Sequence, residues 1–127
     1  MAVGLSNYLC NSILDAVGNA TAYSVSVPYV KLHTGDPGSA ATSNAATETT
    51  RKSISFSASS AGQIASDADI SWTNISGSQD ATHFSVWDSL TAGNFLFSGT
   101  ITANAYVAGD TYTITSGNLT ASLTVAS

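Results

Sequence analysis

The sequence contains few charged residues. Only 9% of its 127 residues are Asp, Glu, Lys or Arg, whereas soluble domains contain roughly 25%. Three Lys and Arg side chains stand against eight Asp and Glu, which gives a formal net charge of −5. A protein that binds the nucleic-acid backbone needs clustered basic side chains to neutralise the phosphates. The sequence therefore predicts no nucleic-acid partner.

Cysteine is scarce as well, and long apolar runs are missing. The single Cys10 cannot form a disulfide within the chain, and its helical context predicts a packing role rather than a reactive thiol. No stretch approaches the ~18 to 20 apolar residues of a membrane span. The first residues also lack the basic and apolar segments of a secretion signal. We therefore expect no membrane partner, and synthesis and folding in a cytoplasm.

Two apolar, aromatic-rich runs dominate what the sequence does contain. Residues 83–87 and 94–101 flank a polar segment, residues 88–93, that holds a turn-forming Asp and Gly. This arrangement predicts a β-hairpin. In the second run, alternation places Phe95, Phe97 and Ile101 on one strongly apolar face. A ribbon of this kind is unstable alone in water, so other segments must cover it.

Further segments alternate apolar and polar residues as half-buried antiparallel strands do. They are residues 23–33, 51–59, 70–73, 111–115 and 119–125. With the hairpin they give about six to eight short strands, which is typical of an antiparallel sandwich or barrel. We predict a mainly β fold, an antiparallel β-sandwich of jelly-roll or immunoglobulin-like type. Pro28 has no N–H group, so it marks a strand start or an edge.

One segment has helical periodicity. Between Ser6 and Val17, apolar residues recur at spacings of three and four, with Ser6 as N-cap and Gly18 just beyond the helix. We predict a short amphipathic helix whose apolar stripe packs on the chain's own sheet or, as the alternative, on a neighbouring chain. The chain length fits a single domain, residues 1–127. It comprises an N-terminal arm and helix at 1–20 and the β-sandwich at 21–127.

The longest stretch without periodicity covers about residues 36–50. It begins with a turn cluster and continues without any large apolar residue. We predict a long, solvent-exposed loop, and such loops often carry binding residues. The candidate partner contacts come from the N-terminal segment, this loop and its end. They are Leu5, Tyr8, Asp36, Pro37, Gly38, Asn44, Glu48 and Arg51.

The residues that could carry chemistry do not form a recognisable motif. His33 and His83 lie on predicted strands without metal-ligand or catalytic spacing. Asp67 and Asp69 could share a strand face, but a calcium site needs six to eight oxygen ligands. No Gly-x-Ser-x-Gly sequence is present. We therefore predict that the protein is not an enzyme and holds no cofactor or metal.

Four aromatic residues leave a carbohydrate-binding alternative open. Trp72, Trp87, Tyr106 and Tyr112 could form a sugar-binding platform if they were coplanar and exposed. Their positions in alternating strands favour the core instead.

Several strings, taken in their order along the chain, resemble a known family. They are LHTGDPG at 32–38, ETTRK at 48–52, THFSVWD at 82–88, GNFLFSG at 93–99, AGDT at 108–111 and GNLT at 117–120. The set is similar to small virion surface proteins of tailed bacteriophages that are described as head decoration, minor tail or tail-fibre-like proteins. The resemblance covers about residues 32–123.

The resemblance implies a non-enzymatic structural protein of the virion, made in the host bacterial cytoplasm and present in many copies. The first expectation is a capsid decoration (minor head) protein on the capsid surface, bound to the major capsid protein. The alternatives are a tail or tail-fibre component that contacts the host surface, with tail proteins as partners, and a carbohydrate-binding module. A homotrimer is also expected. The segments 1–8 and 36–50 are the expected lattice or trimer contacts.

Overall fold

The computed structural model describes residues 3–126. Met1 and Ala2, which belong to the predicted N-terminal contact segment, lie outside the described residues. The elements follow in chain order. They are α1 (Asn7–Gly18), β1 (Tyr29–His33), β2 (Lys52–Ser53), β3 (Gln63–Ala65), β4 (Ile70–Trp72), β5 (Gln79–Trp87), β6 (Phe95–Tyr106), β7 (Tyr112–Ile114) and β8 (Thr120–Ser122).

The predicted hairpin forms the centre of the main sheet. β5 and β6 pair antiparallel, β1 pairs with the other side of β5, and β2 adds to β1, so that the strand order is β2-β1-β5-β6. β1 begins directly after Pro28, as a residue without an N–H group predicts. The hairpin prediction is confirmed, although both strands are longer than the sequence indicated.

Two antiparallel ribbons, β4 with β7 and β3 with β8, form the second layer. Residues 55–57 extend the β3–β8 ribbon, because Phe56 bridges Ser66 and the Ser57 N–H donates to the Ala65 carbonyl at 2.9 Å. The predicted mainly β antiparallel sandwich is confirmed. Two predicted strands are shorter than expected, since residues 23–28 and 54–59 lie outside the named strands. The second stretch makes separate contacts with other segments, such as the hydrogen bond from the Ile54 N–H to the Pro28 carbonyl at 3.0 Å and the Phe56–Ser66 bridge, and no continuous ladder.

The core lies between the two layers. β1 and β5 contribute Val30, Leu32 and Phe84, while the second layer contributes Trp72 and other large residues. The remaining large core members are Ile54, Ile70, Ile75, Val86, Leu96, Phe97, Tyr106, Tyr112, Ile114 and Leu119. Trp72, Tyr106 and Tyr112 are therefore core residues, as alternation favoured, and cannot form an exposed sugar platform.

A bulge changes one predicted face assignment. Val86 pairs with Phe97, but the next residue, Trp87, pairs with Phe95, so β6 carries one extra residue at Leu96. The Phe95 ring consequently lies beside Trp87, with 5.7 Å between the ring centroids. The expectation that Phe95 shares the core face with Phe97 is wrong, because sequence alternation assumes a strand without insertions.

Helix α1 begins and ends close to the predicted positions. The Ser6 hydroxyl caps it by accepting from the Leu9 N–H at 3.1 Å. Gly18 is the last helical residue rather than the one beyond the helix, and Asn19 is the C-cap. No residue of α1 is buried. Leu9 packs against the core, whereas Cys10 is exposed, so the packing role predicted for this thiol is wrong.

The N-terminal arm, residues 4–6, continues the main sheet beyond β6. Leu5 bridges Phe97, the Ser6 N–H donates to the Leu96 carbonyl at 2.7 Å, and the Ser98 N–H donates to the Gly4 carbonyl at 2.9 Å. The arm thus occupies the outer edge of β6 at its N-terminal end.

The segment 36–50 forms an irregular connection between β1 and β2. Most of its residues are exposed, as predicted. Four are buried, however: Pro37, Ala41, Ala46 and Glu48. The expectation of a wholly exposed loop is wrong at these positions, because small residues and one carboxylate can be buried without any periodic pattern in the sequence.

Candidate interaction surface

The main sheet has a second face, directed away from the core, which we call the outer face. On β1, Val30 and Leu32 point into the core, so Tyr29, Lys31 and His33 point outward. Cross-strand pairing puts Ser85 on the same face. Burial lowers the pKa of the Lys31 amine from its usual value. The outer face is therefore partly covered and not fully open to solvent.

His33 and Ser85 are buried on this face and belong to one hydrogen-bond network. The Nδ1 atom of His33 lies 2.9 Å from the Ser43 carbonyl and its Nε2 lies 2.8 Å from the Ser85 hydroxyl oxygen. Because a carbonyl can only accept, Nδ1 carries the proton and the Ser85 hydroxyl donates to Nε2. Trp87 Nε1–H donates to the same hydroxyl oxygen at 2.8 Å. The network connects β1, β5 and the 36–50 segment.

A serine next to a histidine is also the nucleophile and base arrangement of hydrolases. Here both His33 and Ser85 have 0% exposed surface, so no substrate reaches them in this conformation. Burial lowers the pKa of His33 below its usual value of 6.5, although the bond to Ser43 partly opposes this. The pair therefore acts as a neutral structural link.

Arg51 organises the turn between β5 and β6. Its Nη1 donates to the carbonyls of Ser89 at 2.8 Å and Ala92 at 2.7 Å. Its guanidinium lies 4.1 Å from the centroid of the Trp87 ring, which is a cation–π distance. Burial lowers the pKa of Arg51, and the Asp88 carboxylate opposes that shift. The side chain is therefore fixed by its own chain before any partner arrives.

A cleft of about 320 Å³ lies beside Phe95, whose ring contacts the Trp87 ring. The arm with its neighbours Val3 and Asn7 lines one side, Gly38 and Ser39 line another, and Phe95 and Ser98 complete it. The structure thus brings together the two segments that the sequence nominated separately as contact regions. Phe95 also contacts Trp87, so that the cleft, Phe95, Trp87 and Arg51 form one surface. We call it the cleft–aromatic surface.

The predicted contact residues at the start of the 36–50 segment mainly hold that segment in shape. Asp36 Oδ1 accepts from the Gly38 N–H, and Asn44 Nδ2–H donates to the Asp36 carbonyl, both at 2.9 Å. Pro37 is fully buried, and its carbonyl accepts from the Ser43 N–H at 3.0 Å. Only Gly38 of this group lines the cleft.

Glu48 lies away from the cleft and is 8% exposed. Its Oε1 accepts from the Ser76 N–H at 3.0 Å and its Oε2 from the Thr50 N–H at 3.2 Å. Burial alone would raise the pKa of this carboxyl, but the hydrogen bonds lower it below its usual value. Glu48, the only glutamate in the sequence, therefore holds the end of the 36–50 segment against the backbone at Ser76.

The two N-terminal candidates differ in exposure. Leu5 is half-buried in the arm and lines the cleft. Tyr8 is 41% exposed and contacts Tyr23 edge-on, with 6.1 Å between ring centroids. Burial raises the pKa of Tyr23 to about 12. Tyr8 is therefore the more exposed of the two N-terminal candidates.

Sequence reasoning did not nominate Phe95 as a surface residue and treated Trp87 chiefly as a core candidate. Both are half-buried on the outer face. The sequence did contain one indication of this partial exposure. Trp87 and Phe95 flank the polar turn at 88–94, and side chains at the end of a hairpin are only partly covered. Within residues 3–126 no three His, Cys, Asp or Glu side chains are grouped closely enough to hold a metal ion.

A protein-family model supplies the decisive comparison. The model is described as Gp80, Podophage GP4 fiber I protein gp80, and it matches residues 4–122. The chain belongs to this family. Membership in the gp80 fibre family confirms the resemblance to phage virion proteins and makes the chain a structural protein of the virion. No curated protein sequence matches the chain. Among the described residues, no helix is long and apolar enough to cross a membrane.

Proposed function

We propose that this protein is a non-enzymatic component of a virion fibre in a tailed bacteriophage, located at the tail rather than on the capsid lattice. The observation that carries the proposal is the match of nearly the whole chain, residues 4–122, to a family described as a fibre protein. Capsid decoration, the first expectation from sequence, is the competing hypothesis.

The cleft–aromatic surface is the proposed attachment site for a neighbouring virion protein. Trp, Tyr, Phe and Arg are enriched where protein interfaces bind most strongly, and this surface combines Trp87, Phe95 and Arg51. Arg51 already donates hydrogen bonds to two backbone carbonyls, and its guanidinium lies over the Trp87 ring. Because the side chains are ordered in advance, binding requires little further loss of conformational entropy.

The location is tested on whole virions. Fab fragments raised against the purified protein are added to virions and imaged by cryo-electron microscopy. We expect Fab density on tail-associated fibres. In parallel, the protein is mixed with shells assembled from the cognate major capsid protein, where we expect no bound density. Fab density at regular positions over the capsid would instead establish a decoration protein and overturn the proposal.

The attachment site is tested by blocking the cleft without removing an internal contact. Ser39 is exposed and lines the cleft, so Ser39→Arg places a long side chain at its opening. The matched control is Ser60→Arg, also exposed but outside this cleft. Virions are grown with each variant and its copy number is measured by quantitative immunoblot. For Ser39→Arg alone we expect the copy number per virion to fall at least about tenfold, which corresponds to a loss of about 1.4 kcal/mol in binding free energy. Equal incorporation would exclude this attachment site.

A further inference from the structure

His33 connects the two sides of the cleft–aromatic surface. On one side its Nδ1–H donates to the Ser43 carbonyl at 2.9 Å, and Ser43 belongs to the 36–50 segment. On the other side its Nε2 accepts from the Ser85 hydroxyl, whose oxygen accepts from the Trp87 indole N–H, each at 2.8 Å. A chain of three hydrogen bonds therefore runs from the 36–50 segment to Trp87.

Both ends of this chain of hydrogen bonds lie next to residues that line the cleft. The Ser43 N–H donates to the Pro37 carbonyl at 3.0 Å, and the residue after Pro37 is Gly38, which lines the cleft. A Cβ atom added to Gly38 would lie 3.4 Å from the Ser43 hydroxyl oxygen, so the two residues are neighbours in space. At the other end, the Trp87 ring contacts Phe95, which also lines the cleft. A change within the network can therefore reach both walls.

The network is complete only while the His33 ring is neutral. A neutral imidazole has one donor and one acceptor nitrogen, whereas a protonated ring has two donors and no acceptor. A proton on Nε2 would point at the Ser85 oxygen, so the hydroxyl hydrogen of Ser85 would have to turn away. Among the described residues this hydroxyl has no partner other than His33 and Trp87. Because Ser85 has 0% exposed surface, its hydrogen would be left without an acceptor.

The charged groups around His33 do not compensate for a positive charge on its ring. Burial lowers the pKa of His33 most, and a hydrogen bond to the backbone of the 36–50 segment partly opposes this. Lys31 on β1 and His83, paired directly opposite on β5, lower the pKa further. In the 36–50 segment, the carboxylates of Asp36 and Glu48 bond to backbone N–H groups. A protonated ring is therefore unfavourable in this arrangement.

We propose that protonation of His33 breaks this network and thereby releases the protein from its neighbour in the virion. The bond between Nε2 and the Ser85 hydroxyl is lost, so the 36–50 segment and Trp87 lose their connection. The cleft–aromatic surface then no longer keeps the shape that binds, as in other switches that couple a local charge to a movable segment. The release rests on the proposed function, because it regulates the attachment site. The coupling from His33 to Trp87 lies within one chain and does not.

The coupling is tested on the purified chain by NMR between pH 7.5 and 4.5. The sequence contains two tryptophans, and the indole N–H of Trp72 donates to the Thr50 carbonyl at 2.8 Å, which makes it an internal control. We expect the Trp87 indole signal to shift with the same midpoint as the His33 ring signals, while the Trp72 signal stays unchanged. A Trp87 signal that does not follow His33, or a His33 ring that stays neutral throughout this range, overturns the proposal.

A variant tests whether the coupling runs through the hydroxyl. Ser85→Ala removes this connection and leaves both His33 and Trp87 in place. We expect the His33 ring still to titrate and the Trp87 indole signal no longer to follow it. Thr102→Ala is the control, since this exposed hydroxyl residue lies outside the network, and it should keep the coupling. Coupling that persists in Ser85→Ala contradicts the proposal, and the wild-type titration decides it if Ser85→Ala does not fold.

The release is tested on whole virions that carry the wild type or His33→Gln, whose side chain cannot gain a proton in this range. Virions are incubated at pH 7.5 or 4.5 and pelleted, and the retained protein is measured by immunoblot relative to the major capsid protein. We expect retention of the wild type to fall at least about tenfold at pH 4.5, and that of His33→Gln to change less than about twofold. Equal loss of both proteins contradicts the proposal, because the release would not depend on His33.

Failure of the release and failure of the proposed function give different results. If Ser39→Arg reduces incorporation but the wild type is retained at pH 4.5, the attachment site stands and the release is overturned. If Ser39→Arg is incorporated normally, the proposed attachment site fails, and the release fails with it. The NMR titration of the isolated chain reports the coupling between His33 and Trp87 in either case.

Discussion

The two halves of β6 differ although they belong to one strand with one partner. In the first half, Leu96, Phe97 and Ser98 are all buried, so both faces are covered, and the arm covers the edge. In the second half, Thr100 and residues 102–105 are exposed. Both halves pair with β5, although residues 101–103 of the second half have no paired residue there. The comparison teaches that cross-strand pairing forms the strand, whereas burial depends on which other segments reach it.

The largest expected effect comes from the first half. Phe97 is 5% exposed and contacts Phe84 edge-on at 6.1 Å. Phe97→Ala should lower the free energy of unfolding by about 3 to 5 kcal/mol, because a large buried ring leaves a cavity. The matched comparison is Thr102→Ala in the second half, which should change the free energy of unfolding by less than about 0.5 kcal/mol. Urea denaturation measures both. Similar losses would mean that the halves are equally packed.

Gly99 marks the boundary between the halves and should give the next largest effect. A Cβ atom at this position would lie 2.7 Å from Cε1 and Cζ of the Phe84 ring. Gly99→Ala should therefore cost about 1 to 3 kcal/mol through overpacking. The double variant with Phe84→Leu should lose less than the sum of the two single losses, since the smaller side chain leaves room. Strict additivity would show that the ring is not the obstacle.

A pH effect should arise from the His33 network on the outer face, which reaches the first half of β6 where Ser85 pairs with Ser98. The folded-state pKa of His33 is lowered by burial, so the unfolded chain binds the proton more readily. The stability due to neutral His33 is fully present above the unfolded pKa of about 6.5 and is lost as pH falls through the lower folded pKa.

Thermal unfolding between pH 7.5 and 4.5 measures this effect. We expect the midpoint of the wild type to fall below pH 6.5 more steeply than that of His33→Gln. Thr102→Ala is the control, since this exposed residue lies outside the His33 network, and it should keep the slope of the wild type. Parallel slopes for the wild type and His33→Gln would exclude His33 as the titrating group.

The smallest effect leaves overall stability unchanged and concerns amide exchange along the edge. The Ser98 N–H is bonded to the Gly4 carbonyl, so its hydrogen should exchange at least about tenfold more slowly than amides of residues 99–106 that face away from β5. Hydrogen exchange by NMR in dilute solution measures the difference. Equal protection in dilute solution would show that the arm does not distinguish the halves.

Much of the fold was predictable because it depends on local patterns. Ser6 as N-cap, the start of β1 after Pro28 and the β5–β6 hairpin all follow from a few adjacent residues. The contact surface was predictable only in part. The arm and Gly38 meet at one cleft, but sequence spacing could not indicate that Glu48 is turned inward toward Ser76.

The residues that sequence reasoning placed wrongly share a cause. Phe95 leaves the core face because of a bulge at Leu96, and a bulge depends on the register between two strands. His33 was placed correctly on a strand without catalytic or metal-ligand spacing, but its partners Ser43 and Ser85 lie 10 and 52 positions away. Such contacts have no local periodicity for a sequence pattern to reveal.

The sequence by itself determined that this chain builds short antiparallel strands and one amphipathic helix, because alternation and capping act between residues that are neighbours in the chain. It also determined a neutral β6 without proline or charge. Only the tertiary structure decided that residues 4–6 cover one half of that edge and leave the other half bare. The physical reason is that edge coverage requires a backbone segment more than 90 positions away, and no property of β6 alone selects it.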